Sequence, residues 1–155
     1  MWDDTFKFKK HPFVCDYHGK YLISALHKTW MEARKSCEEA GLMLAEVTTA
    51  AEVKEIVFLA EYFLGKVDPK DRIFNNTNWL WIGGDDLEEE GSWMWPDHHE
   101  VEEWPGIPWR KHQPDNAAYA LDKGQDVMAI SRWGEFDDSF EEKRKRPFVC
   151  MCPHD

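Results

Sequence analysis

The chain is short of positive charge, of long apolar runs and of cysteine, and each shortage removes a class of function. Its 155 residues carry 19 Lys and Arg against 30 Asp and Glu, a formal charge of −11 at pH 7. Such an acidic surface repels phosphate backbones, which excludes nucleic acid as a partner, and it repels anionic membrane surfaces in the same way. No run of 18 or more apolar residues is present, so no segment reads as a membrane span. The four cysteines, Cys15, Cys37, Cys150 and Cys152, form no Cys-x-x-Cys pair and do not have zinc-ribbon spacing. An even count in a domain of this size fits two disulfides and an oxidising, extracellular setting. Three pairings are open, and counting does not choose among them.

Other signatures are missing as well. His98-His99-Glu100 is the only histidine pair that suggests zinc, but neighbouring histidines on a strand point apart, and there is no His-Glu-x-x-His. No Ser-His-Asp or Cys-His arrangement stands out, so the chain does not read as an enzyme. There is no internal repeat, no linker and no heptad segment. Met1–Asp4 is not a signal peptide, so a secreted form would have had its signal removed. Asn75-Asn76-Thr77 is a weak glycosylation sequon.

What is present is a single domain's worth of chain with mixed periodicity. Residues 13–27 alternate around His18-Gly19 and predict a hairpin. Thr29 and Glu32 form a capping box before a helix whose inner face is Trp30, Ala33, Cys37 and Ala40, with Gly41 as the stop. Leu42–Val47 predicts a short strand. Thr48 or Thr49 caps a second helix over about 50–64, with Val53, Ile56, Val57, Ala60 and Phe63 or Leu64 inward. Trp79–Gly84, Gly91–Trp95, Val127–Arg132, Trp133–Phe136 and Arg146–Cys152 predict strands. The run Glu141–Arg146 reads as a solvated turn. Helices early and strands late make the class α+β.

Nine Trp are unusual, and most read as packing residues. Between Pro96 and Gln125 no period is visible, and an irregular stretch of this length in a compact domain is usually functional. It holds Gln113-Pro114-Asp115, and Phe136-Asp137-Asp138 follows further on. Oxygen-bearing side chains at such close spacing are what a hard cation such as Ca²⁺ requires.

Taken in order, these residues resemble the C-type lectin-like domain family over about 13–152, which leaves 1–12 as an N-terminal extension. Trp30, Ala33, Cys37, Gly41, Leu44 and Ala45 are similar to its first helix and following strand. Trp81-Ile82-Gly83 resembles its Trp-Ile-Gly strand, Gln113-Pro114-Asp115 its sugar-specificity triplet, and Pro147–Cys150 its last strand. The resemblance implies a two-helix domain with antiparallel strands and a long Ca²⁺-binding loop. It implies that Cys37 pairs with Cys150, leaving Cys15 with Cys152. It also implies one Ca²⁺ held by Gln113, Asp115, Gln125, Asp137 and Asp138, with Asp122 as a substitute for Gln125. A second Ca²⁺ would fall to Asp86, Glu90, Asn116 and Asp126. Vicinal hydroxyls of a terminal sugar would then join the metal while bonding to Gln113, Asp115 and Asp137, with Tyr119 or Trp109 stacking on the ring. The Gln-Pro-Asp order favours galactose or GalNAc over mannose. Affinity for single sugars would be weak enough to reward homo-oligomers.

Two departures stand out. The family's usual second disulfide has Val127 and Glu141 at its positions, and Trp-Asn-Asp has become Phe136-Asp137-Asp138. The alternatives are a lectin-like domain that binds protein or surfaces without sugar, and a Gln-Pro-Asp lectin that takes mannose-type sugars.

Overall fold

The computed structural model describes residues 20–66, 78–88, 92–96, 100–101, 104, 106–109, 127–139 and 143–153, with the backbone alone at 138 and 139. Among these, strand β1 (Tyr21–Lys28) leads into helix α1 (Trp30–Glu39) and the short strand β2 (Met43–Leu44). Helix α2 (Ala50–Leu64) precedes β3 (Trp79–Asp85), β4 (Val127–Ser131), β5 (Phe136–Ser139) and β6 (Arg146–Met151). The sheet order is β1-β6-β3-β4-β5, with β2 on β6. All pairings are antiparallel except β3 with β6.

α1 begins where the capping box predicts. The Thr29 hydroxyl accepts from the Glu32 N–H at 3.1 Å, and the Glu32 carboxylate accepts from the Thr29 N–H at 3.0 Å. These bonds satisfy donors that the first helical turn leaves orphaned. Trp30, Ala33 and Cys37 are buried on one face. α2 is capped by Thr49, whose hydroxyl accepts from the Glu52 N–H at 3.1 Å. Val53, Ile56 and Ala60 are buried, and Leu64 packs against the core while Phe63 is exposed, which settles the open choice between the two.

The strands require four corrections. The run 42–47 pairs as β2 only at Met43–Leu44. Beyond it, Ala45 donates to the Val149 carbonyl and its own carbonyl accepts from Gly83, so the chain bridges β6 and β3 outside regular pairing. Residues 91–95 do not form a strand among the described residues; Met94 makes isolated bridges to Asp85 and Glu100. The predicted strand Trp133–Phe136 is instead a turn, with Gly134 at φ 88°, followed by β5 from Phe136. Arg146, expected both at the end of a solvated turn and at the start of the last strand, opens β6 and is buried with its guanidinium 4.7 Å from the Trp81 ring centre. The first arm of the predicted 13–27 hairpin lies outside the described residues.

One part of the core, with Ile23, Val47, Ile56, Ile82, Ile130 and Phe136, fills the space between α2 and the sheet. The other, with Trp30, Cys37, Trp81, Val127, Phe148 and Cys150, lies under α1. Within it Cys37 and Cys150 are bonded, with Cα atoms 5.7 Å apart across 113 residues of sequence. Cys152 is also disulfide-bonded. Cys15, the partner expected for it, lies outside the described residues. Two tryptophans lock the layers through their indole N–H groups: Trp30 donates to the Ile82 carbonyl at 2.9 Å and Trp81 to the Lys28 carbonyl at 3.0 Å.

Candidate functional site

The candidate ligands Asp137 and Asp138 stand on β5. Phe136 is fully buried and anchors it, with Trp104 and Trp109 set edge-on at 6.2 Å each. Gly106 permits this arrangement, because a Cβ there would stand 2.7 Å from the Trp104 indole nitrogen. With Phe136 turned inward, alternation along the strand sends Asp137 to the other face. Asp137 is half-buried, and one of its carboxylate oxygens is inaccessible to solvent. β4 and β5 pair Ala129 with Asp137 and Met128 with Asp138.

The segment that carries the Gln-Pro-Asp triplet is held at both ends next to this strand. At its start, Trp109 bridges Phe136, and the Phe136 N–H donates to the Pro108 carbonyl at 2.9 Å. At its end, Val127 pairs with Ser139 of β5 and with Asp85 of β3. Trp109 and Val127, the described residues on either side of 110–126, thus lie at opposite ends of the strand that holds Asp137 and Asp138. The register also brings Val127, and with it the position after Asp126, beside the Asp85-Asp86 end of β3. Asp86 is 3% exposed.

Of the expected Ca²⁺ ligands, the structure thus describes Asp137, the backbone of Asp138, and Asp86. Gln113, Asp115, Asn116, Gln125 and Asp126 lie outside the described residues, as do Glu90, Tyr119 and the alternative ligand Asp122. Among the described residues, no three His, Cys, Asp or Glu side chains converge as a metal site. The donor chemistry nevertheless fits a hard cation. Asp137 and Asp86 present carboxylate oxygen in partly or largely desolvated positions, where a carboxylate favours a cationic neighbour. Trp109 is half-buried and packs on Trp93 at 6.1 Å as well as on Phe136. It serves first as the anchor of the segment, and sugar stacking would be an added demand on the same ring. The supporting role of Trp104 was not apparent from sequence; its signal is the run Trp104-Pro105-Gly106-Ile107-Pro108-Trp109, where small and rigid residues separate two aromatics.

Two helices packed on a mixed sheet and a disulfide from the first helix to the last strand define a C-type lectin fold. The family model for the Lectin C-type domain matches residues 26–152, and the chain belongs to that family. C-type lectin BML-1 of Bungarus multicinctus is 26% identical over 140 residues, covering 86% of this chain and 77% of its own. A C-type lectin galactose-binding isoform of Hoplocephalus stephensii is 25% identical over 139 residues, with the same coverage. Among solved structures, the trimeric Kupffer cell C-type lectin receptor Clec4f matches with a TM-score of 0.66 at 25% identity, covering 93% of this chain and 89% of that one.

Proposed function

We propose that the chain is a secreted, non-enzymatic, Ca²⁺-dependent lectin whose recognition domain spans 13–152 and which prefers terminal galactose or GalNAc. The observation that carries this reading is the double anchoring of the 110–126 segment on β5, around Asp137 and Asp138. Gln113, Asp115, Gln125, Asp137 and Asp138 would hold the cation. When bound, Ca²⁺ supplies open coordination positions for two vicinal sugar hydroxyls. The protein's own part is directional: carboxylates at Asp115 and Asp137 accept from those hydroxyls, and the Gln113 amide donates. That order suits 3,4-hydroxyls of the galactose type. The relative described as galactose-binding supports the same preference. Asp86, Glu90, Asn116 and Asp126 would form a supporting cation site.

The test is a glycan array run in Ca²⁺ and in EGTA, with the native protein and Asp137→Ala. Signal on galactose or GalNAc that disappears in EGTA and in the variant is the expected result. Ca²⁺-dependent signal on mannose instead would keep the mechanism and overturn the preference. Partner binding that survives in folded Asp137→Ala would sink the lectin reading in favour of sugar-independent recognition.

A further inference from the structure

A second charged surface lies at the other end of β3. β3 and β6 run parallel with Trp81 level with Phe148, so Arg146 sits near the Trp79 end, six residues from Asp85. At the rise of a strand this is about 20 Å from the proposed sugar site. The turn before β6 exposes Lys143, Arg144 and Lys145. β1 brings in two more basic side chains that are far away in sequence. Its pairing with β6 shifts register between Ser24 and Lys28, so that Lys28 returns opposite Arg146 with His27 exposed beside it.

This end of the sheet is built firmly. The Trp81 indole donates to the Lys28 carbonyl while its ring face carries the buried Arg146 guanidinium. One tryptophan thus fixes the backbone of β1 and the base of the basic turn together. Glu32 lies near Lys145 and Lys28, and it is engaged in capping α1. Its carboxyl is held below the usual range by the Thr29 backbone bond first, with Lys145 and Lys28 adding to the effect. Both lysines therefore act on one point. Glu141 and Glu142 lie outside the described residues.

We propose that Lys28, Lys143, Arg144 and Lys145 form a binding site for a sulfated polysaccharide, separate from the proposed Ca²⁺ site and independent of it. Closely spaced ammonium and guanidinium groups suit a chain with repeated sulfates, and the guanidinium fork matches a tetrahedral oxyanion. The choice of partner follows from the patch being small on a chain of charge −11. A thin, flexible polyanion touches the cations alone. A duplex or a membrane sheet would also face the surrounding carboxylates and be repelled.

The test uses the intact protein over immobilised heparin at pH 7.4 and low salt, with de-sulfated heparin, duplex DNA and phosphatidylserine vesicles as comparison probes. Binding should need sulfate, persist in EGTA and in Asp137→Ala, and weaken with salt. Combining Lys143→Glu with Lys145→Glu should weaken it by about tenfold or more, while Ca²⁺-dependent glycan binding stays unchanged. Lys143→Gln with Lys145→Gln, which removes charge without reversing it, should give a smaller loss. Absence of heparin binding, indifference to the lysine variants, loss in EGTA, or tighter binding to DNA or vesicles would each overturn the proposal. Failure of the sugar reading would show on the glycan array alone and would leave this result untouched.

Discussion

Single residues hold this sheet at points where no substitute has the same geometry. Trp30 fills a buried site and satisfies the Ile82 carbonyl. In Trp30→Phe that acceptor is left buried without its donor, and the expected loss is about 1–3 kcal/mol in chemical unfolding. Gly83 lies where β2, β3 and Pro96 meet. A Cβ there would come within 2.6 Å of the Pro96 ring and 2.9 Å of the Leu44 carbonyl oxygen. The backbone oxygen cannot move away cheaply, so Gly83→Ala should cost about 1–3 kcal/mol, measured as a lowered urea midpoint. The glycine was legible in sequence as the end of a buried strand. Its reason for being glycine was not, because Leu44 and Pro96 approach only in the folded chain.

At the scale of elements, the helices were the most legible part, since their caps and periodicity are local. Thr29→Ala removes the hydroxyl half of the capping box and should cost about 1 kcal/mol in thermal or urea unfolding. α2 carries a pH-dependent tie. Burial alone would raise the Glu52 carboxyl. The ion pair with Lys20 and the bonds from Thr48 outweigh burial and hold the carboxyl below its ordinary 4.5. A depressed folded value means the stabilisation is fully present above pH 4.5 and is lost as pH falls through the folded value. Glu52→Gln should therefore flatten the acid limb of the stability-versus-pH curve, and an unchanged limb would exclude the tie. The strands were less legible. The sequence reads Trp133–Phe136 as a strand, yet Gly134 takes the left-handed region in a turn and breaks the run before Phe136. Arg132 closes this turn onto α2 by donating to the Gly65 carbonyl, a contact between residues 67 apart in sequence.

Over the whole molecule, the Cys37–Cys150 bond closes a loop of 113 residues, tying α1 to the last strand. In the chain-entropy account it contributes about 4–5 kcal/mol. Replacing both cysteines with alanine should lower the unfolding free energy by that order, read from denaturant curves. The parallel β3–β6 contact then sets the polarity of the molecule. It places Asp85 and Asp86 at one end and the Lys28–Arg146 pair at the other. The two ends of one small sheet thus differ in the sign of their charge.

The sequence by itself determined both helices with their caps and most strand positions. It also determined the family, and through the family the Cys37–Cys150 pair. These rest on side-chain spacing and order along the chain, which local geometry reads directly. Tertiary structure alone decided where β5 begins, that Arg146 stacks on Trp81 instead of facing solvent, and that Lys28 joins Lys143–Lys145. Each of these depends on register between strands distant in sequence. Register is set by the packing of both faces at once, a condition that no local pattern contains.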